Sequence, residues 1–440
     1  MKKIKYLLLF FTATFILSAC SEWLDVTPPS QIREEEQFST VEGFQQVLTG
    51  CYIGMTNDYL YGRVLSWSTI ELMAGQFTAL YPSTSNDSGI ATYNYTSTIA
   101  ITYINGTWLK AYNVIANVNN ALKYIELKKS VLDDINYKLI KGELLAIRAY
   151  MHLDLMRLYG YGNLAARNDI SAKYAIPYVT TLDKNITPQL SYSQTFALLI
   201  KDLTDAVTLL EIDPVTKSQP DSYYQNVNTD GFYNNRQQKF NYYATSLLLA
   251  RAYMWEGSSD SRTKALVLAN KVIADAVNKG VVSWATSESV TGDVIMKSEH
   301  LMSLNTQNLL IKTAEYFKIQ ILATDYRAQY VSNDRLVSVY EAEGIGSTDF
   351  RFSKQYIFNT ALVNGKNSYT PLKYYGNSIT STSDYIPLLR LPEAYYIAAE
   401  CLLKQSVPDV NGALNLLNTV RSLRGIHANL TNLTETDDMN

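Results

Sequence analysis

The stretch LLLARAYMWEGSSDSRTKALVLANKV, residues 247–272, recurs in altered form as YYIAAECLLKQSVPDVNGALNLLNTV, residues 395–420. Both stretches end in Ala-Leu-x-Leu-x-Asn-x-Val, and Ala250 precedes Ala265 by the same interval at which Ala398 precedes Ala413. Small residues at fixed points in paired helices allow close helix packing, which is typical of tetratricopeptide-like repeats. Because one such pair cannot bury its apolar face alone, we expect the pairs to stack into a single body.

Other segments extend this helical pattern on both sides of the first repeat. Residues 112–127 and 139–159 carry apolar residues at three- and four-residue spacing, which predicts an antiparallel pair. Further helices are predicted over 193–210, 242–255 and 262–277. The chain is therefore predicted to be mostly α-helical, with tetratricopeptide-like pairs as its scaffold.

Three long stretches between the helices lack a helical period. They are residues 81–106, rich in Ser, Thr, Asn and Tyr, residues 213–239, and residues 281–385, where loop and short strand signals mix. Loops of this length in a compact protein are usually functional. We therefore expect the irregular insertions to carry any ligand site.

The N-terminus has the organisation of an export signal. Lys2, Lys3 and Lys5 precede an apolar run over residues 6–17, and small residues stand just before Cys20. The run is shorter than the roughly 20 apolar residues of a membrane helix. Leu-Ser-Ala before Cys20 resembles the bacterial lipobox, which implies removal of residues 1–19 and acylation of the Cys20 thiol, by palmitate for example. Several acyl chains would anchor the protein stably.

Composition excludes some functions and favours others. A net charge of -3 with scattered Lys and Arg residues argues against a nucleic-acid partner. Apart from Cys20, the only cysteines are Cys51 and Cys401, so neither a disulfide framework nor a zinc site is predicted. Tyrosine is abundant, with 34 Tyr against 5 Trp and 13 Phe. Tyrosine can hold flat hydroxylated ligands, although most of these residues are expected to serve packing.

The sequence offers little for catalysis. Its imidazoles are His152, His300 and His427, and His152 lies in an apolar helical stretch where a structural role is expected. No GxSxG, HExxH or phosphate-loop motif occurs. Two suitably spaced carboxylates would be enough for a glycosidase, and the sequence leaves that alternative open. We expect a binding protein without cofactor or metal rather than an enzyme.

Segments spread over most of the chain resemble the SusD/RagB family of nutrient-uptake lipoproteins. The resemblance rests on the order and spacing of CSEWLDV at 20–26, EEEQFSTVEGFQQVLTGCYIGM at 34–55, AYNVIANVNNAL at 111–122, KGELLAIRAYMHLDLMRLYG at 141–160, LLLARAYMWEG at 247–257, PLLRLPEAYYIAAECLL at 387–403 and NGALNLLNTVRSLRGI at 411–426.

This resemblance implies a surface-exposed lipoprotein of the outer membrane that captures oligosaccharides and passes them to a TonB-dependent, SusC-like transporter without cleaving them. Some members capture peptides instead, and that alternative stays open beside a lipid-anchored glycoside hydrolase. The implied division is a SusD-like N-terminal region over residues 20–240 and a C-terminal region over residues 241–440. Members usually continue through a further helix after Val420 and Arg421, so this region resembles a shortened version of theirs.

Two places are candidates for ligand contact. Tyr93, Asn94 and Tyr95 lie in the insertion before the helix at Ala111, roughly where the family places part of its ligand site. Trp284 lies in the insertion after residue 277. Aromatic faces stack against sugar C–H surfaces and amides hydrogen-bond hydroxyls, so these residue types fit a glycan site.

Overall fold

The computed structural model describes residues 34–432, apart from 80–87, 163, 165–166, 168, 319–320, 322–324, 326, 354–357, 364–365 and 373–383. The predicted export signal and Cys20 lie outside the described residues.

Helices make up most of the described chain, as predicted. In chain order they are α1 Glu34–Gln37, α2 Val41–Met55, α3 Thr69–Met73, α4 Ser88–Ala91, α5 Thr98–Leu127, α6 Asp134–Tyr159, α7 Tyr192–Leu209, α8 Tyr242–Glu256, α9 Ser259–Asn278, α10 Leu309–Thr313, α11 Asn333–Val339, α12 Phe350–Ser353, α13 Leu391–Leu403 and α14 Val410–Leu423.

The long helices follow one another in space as well as in sequence. α2 packs on α5, and α5, α6, α7, α8 and α9 then pack each on the next. α9 contacts α13, which pairs with α14. The predicted helical hairpins are therefore confirmed. Ala250, Ala265, Ala398 and Ala413 are all fully buried, as close packing of paired helices requires.

The strands belong to the insertions and to the segment before α13. They are β1 Thr78–Ala79, β2 His300–Asn305, β3 Gln329–Ser332, β4 Phe358–Val363, β5 Lys366–Pro371 and β6 Tyr385–Arg390. An antiparallel sheet has the order β1-β3-β5-β4, and β2 pairs antiparallel with β6. The β1-β3 pairing ties the segment after α3 to the insertion that follows α9.

One prediction about the insertions is wrong in part. Residues 81–106 were expected to be irregular, but residues 98–106 form the first turns of α5. Ser97 caps the helix by accepting from the Ala100 N–H at 3.3 Å, and Ala100 and Tyr103 are buried. The β-branched Thr and Ile residues of this stretch have modest helix propensity, which packing overrides.

A single large apolar core joins residues from both predicted regions, from Phe38 near the start of the described chain to Val420 in α14. The division at residue 240 stays a prediction. In the described part of the chain, no helix combines the length and apolar composition needed to span a bilayer.

Candidate functional site

Two neighbouring pockets lie where the C-terminal end of α6 meets the segment that includes α3. They share Leu65, Ile70 and Leu158 as a common wall. We call them the tyrosine pocket, which opens toward α4 and α5, and the charged cleft, which opens toward α8 and β6. Through this shared wall, the apolar tyrosine pocket lies directly beside the more polar charged cleft.

The tyrosine pocket has a volume of about 410 Å³, and the described residues of its mostly apolar lining include no charged side chain. Besides Thr69 and Thr107, its lining consists of Val64, Leu65, Ile70, Met73, Ile90, Tyr95, Tyr103, Ile104, Leu158 and Tyr159. Burial raises the pKa of Tyr159 to about 12, so its hydroxyl stays protonated and donates to the Ile104 carbonyl at 2.7 Å. This pocket therefore suits an uncharged group.

Two of the predicted ligand residues lie at the mouth of this pocket. Tyr95 lines the pocket and is 45% exposed, while Tyr93 is 57% exposed and donates its hydroxyl to the carbonyl of Met73, another lining residue, at 3.0 Å. Tyr93 has a φ of +57°, so the backbone turns sharply between the two rings. Both aromatic rings are thus partly open to solvent beside the pocket.

Asn94, between these tyrosines, stabilises the turn itself. Its Oδ1 accepts from the backbone N–H of Thr96 at 3.2 Å and from the Thr96 hydroxyl at 2.8 Å. The structure therefore brings Tyr93, Asn94 and Tyr95 together on one turn. Their contact with a ligand stays a prediction.

Thr69 belongs to the lining of the tyrosine pocket, but its hydroxyl is buried within the wall. The residue is only 5% exposed, and the hydroxyl makes no hydrogen bond to any described residue. A buried hydroxyl without a partner costs about 1–3 kcal/mol.

The charged cleft, of about 480 Å³, combines aromatic rings with an ion pair. Asp154 accepts from the Tyr61 hydroxyl at 2.6 Å and from Nη1 of Arg157 at 3.1 Å. Burial, followed by the charge of Asp154, raises the pKa of Tyr61 well above its usual value, so the phenol remains a donor. Trp255 also lines the cleft, and its indole N–H has no partner among the described residues.

Sequence reasoning did not select Thr69, Asp154, Arg157 or Trp255. Asp154 and Arg157 are three residues apart near the end of α6, where a carboxylate and a guanidinium also commonly form an ordinary helix-surface pair. Gly160 after α6 and Gly257 after α8 mark only where the helices that carry these residues end.

Trp284 lies at a different place. Its ring meets the ring of Tyr395 on α13 edge-on, with centroids 5.3 Å apart, and the guanidinium of Arg424 lies 5.2 Å from its centroid. The structure therefore groups Trp284 with the C-terminal helical pair rather than with Tyr93 and Tyr95. A ligand contact by Trp284 stays a prediction.

The expectation of a structural role for His152 is confirmed. Its Nδ1 hydrogen-bonds the Arg148 carbonyl at 2.8 Å, its Nε2 accepts from the Val179 N–H at 3.0 Å, and its ring stacks on Tyr178. Burial lowers the pKa of His152 to about 3. Cys51 and Cys401 are buried, and the described residues include no group of three metal-ligating side chains.

The tetratricopeptide-like helical scaffold places the chain among helical-repeat proteins. Residues 22–228 match the family SusD-like_3, described as "Starch-binding associating with outer membrane". This match covers just under half of the chain, and it supports the resemblance to the SusD/RagB family.

Solved structures share the fold over most of their length. A SusD superfamily protein from Bacteroides thetaiotaomicron is 21% identical, with 88% of this chain and 81% of that chain covered and a TM-score of 0.67. A SusD-like carbohydrate binding protein from Bacteroides vulgatus is 21% identical, with 91% and 78% covered and a TM-score of 0.67. A SusD superfamily protein from Bacteroides fragilis is 18% identical, with 91% and 85% covered and a TM-score of 0.64. A search of curated proteins gave no match.

Proposed function

We propose that this protein binds saccharides without cleaving them, at the turn formed by Tyr93, Asn94 and Tyr95 and in the charged cleft, which shares a wall with the tyrosine pocket. The observation that carries the proposal is the pair of half-exposed tyrosine rings at the mouth of a pocket. Open aromatic faces suit the C–H surfaces of a sugar ring.

The charged cleft supplies the complementary polar chemistry. Sugar hydroxyls both donate and accept hydrogen bonds, and Asp154 and Arg157 offer an acceptor and a donor side by side. The family description as starch-binding, and the carbohydrate-binding name of the Bacteroides vulgatus relative, support the same ligand class.

The proposal includes a tether and a transporter. We infer acylation at Cys20, location at the outer membrane with surface exposure, and delivery of the ligand to a SusC-like, TonB-dependent transporter. The lipobox-like sequence before Cys20 and the family description as associating with the outer membrane support this. Expression of wild type and Cys20→Ser, followed by detergent phase partitioning, tests the tether: the variant is expected in the aqueous phase. Equal partitioning of wild type and Cys20→Ser would contradict a lipid anchor at Cys20.

A glycan panel with calorimetric detection tests ligand binding. The double variant Tyr93→Ala/Tyr95→Ala is expected to weaken binding at least tenfold, because each lost sugar–aromatic contact contributes about 1 kcal/mol. Tyr174→Ala is the matched control, since Tyr174 is 73% exposed and lies outside both pockets. If the double variant binds with wild-type affinity, this turn does not contact the ligand.

Trp284→Ala belongs in the same experiment. If Trp284 contacts the ligand, the variant should bind the glycan more weakly than wild type. If Trp284 serves packing, the variant should have a lower unfolding midpoint and, while folded, the wild-type affinity. Chromatography of the panel after incubation detects cleavage, and turnover would favour the hydrolase alternative. A peptide panel completes the test, because binding of peptides but of no glycan would favour the peptide alternative.

A further inference from the structure

We propose that the tyrosine pocket binds an aromatic substituent carried by the saccharide ligand, such as an aryl ester or aryl ether. This inference rests on the proposed saccharide function and adds a substrate class to it. The sugar would contact Tyr93 and Tyr95 at the mouth, and the aromatic ring would enter the pocket.

The lining of the pocket disfavours a bare sugar inside it. Among the described residues of its lining none is charged, and most are apolar. A hydroxyl-rich ring placed there would lose hydrogen bonds to water that the walls cannot replace. An apolar group would instead gain about 25 cal/mol for each Å² of its surface removed from water. The pocket therefore selects for the apolar part of a ligand.

The aromatic members of the lining favour an aryl group over an alkyl chain. Tyr95, Tyr103 and Tyr159 contribute rings that can meet a ligand ring edge-on or offset. Met73 adds a thioether, which makes favourable contacts with aromatic rings. The volume of about 410 Å³ lies within the range of small-molecule sites and accommodates a substituted benzene ring.

Tyr103 is held in place from outside the pocket. Arg63 Nη1 donates to the Tyr103 hydroxyl at 3.1 Å and to the Tyr316 hydroxyl at 3.3 Å. The guanidinium also lies 4.9 Å from the centroid of the Tyr103 ring. The pocket wall is thus fixed to the insertion that contains Tyr316, so the pocket is preorganised for a rigid flat group.

Ligand-detected NMR titration compares the methyl, octyl and 4-nitrophenyl glycosides of glucose, galactose, mannose and xylose. The 4-nitrophenyl glycoside of at least one sugar is expected to bind ten times more tightly than its methyl glycoside, and more tightly than its octyl glycoside. Ile104→Phe fills the pocket and is expected to bring the aryl-to-methyl affinity ratio near one.

The matched control is Ile101→Phe, the same substitution on the same helix at a residue that is 45% exposed and outside the pocket lining. It is expected to retain the wild-type ratio. Equal binding of aryl and methyl glycosides, or a better octyl glycoside, would overturn the inference and leave saccharide binding intact. If the aryl glycosides do not bind, the inference is overturned, even when the methyl glycosides do not bind either. The glycan panel then tests the proposed saccharide function separately.

Discussion

Arg251 and Glu393 form a two-pronged ion pair across 142 residues of sequence, with Nε–Oε1 at 2.5 Å and Nη2–Oε2 at 2.7 Å. The pair joins α8 to the first turn of α13. The sequence Arg-Ala-Tyr-Met at residues 251–254 also occurs at residues 148–151. Its first residue there, Arg148, binds Asp202 of α7 in the same way, with both distances 2.7 Å. The sequence repeat therefore carries a repeated tertiary contact.

Substituting Glu393 by Gln tests how much this contact contributes. The amide keeps the shape but loses the charge, and the two side chains are mostly buried. We expect the free energy of unfolding to fall by about 1.5–3 kcal/mol, the usual contribution of hydrogen bonds to charged groups. Urea denaturation monitored by circular dichroism measures it.

Glu400→Gln is the matched control on the same helix. Glu400 pairs with Lys404 at the surface, where both side chains are more than 40% exposed, and such pairs contribute little. Equal loss of stability in the two variants would show that the Arg251–Glu393 contact has no special role.

Gly106 is required where α5 passes Tyr59. A Cβ at this position would lie 2.5 Å from Cε1 of the Tyr59 ring. We therefore expect Gly106→Ala to destabilise the protein by about 1–3 kcal/mol despite the better helix propensity of Ala. Gly50→Ala in α2 is the control: its Cβ meets nothing within 4 Å, so stability should rise by about 0.5–1 kcal/mol. A gain in both variants would contradict the proposed close approach.

Local pattern was sufficient to predict the scaffold. The interval between Ala250 and Ala265 predicts a helical hairpin because two paired helices need small residues where they touch, whatever the rest of the protein is. Both residues are fully buried. Residues 98–106 were missed because the signal that makes them helical is tertiary: Ala100 and Tyr103 belong to a small core cluster with Val64.

The site was predictable only in part. Tyr93 and Tyr95 could be selected because they lie in a long insertion, roughly where the family that the chain resembles places part of its ligand site. The pairing of Tyr61 with Asp154 depends on which distant segments meet, and no periodic pattern in the sequence predicts such a contact.

Arg236 is the centre of a buried ion cluster. Its guanidinium binds Glu143 at 2.5 Å and Asp213 at 2.6 Å, and all three side chains are almost fully buried. Arg236→Met would leave two buried carboxylates without their counter-charge, so we expect a loss of about 3–5 kcal/mol in the free energy of unfolding. Urea denaturation at pH 7 and pH 5 measures it.

The deficit in Arg236→Met should shrink at pH 5, because adjacent buried carboxylates without a cation bind a proton more readily than in the unfolded chain. Arg327→Met removes an exposed partner of Glu315 and is the control, with an expected change within about 1 kcal/mol. A deficit that grows on acidification would contradict this account of the cluster.

Acid sensitivity should depend on His152. Burial lowers the pKa of its ring to about 3, whereas an unfolded histidine titrates near about 6.5. Above pH 6.5 both states are neutral and stability is complete. As the pH falls toward 3, the unfolded state takes up the proton first, so stability declines by up to about 1.4 kcal/mol per pH unit for this group. His152→Gln is expected to remove that part of the slope.

Urea denaturation between pH 7.5 and pH 4.5 measures the slope for wild type and His152→Gln. The glutamine can still donate to the Arg148 carbonyl and accept from Val179, the two bonds that the neutral imidazole makes. Its stability should therefore depend less steeply on pH even if it is lower at pH 7.5. The control is His427→Gln, because His427 is exposed and its replacement should leave the slope unchanged. An equal slope in wild type and His152→Gln would exclude His152 as a source of acid sensitivity.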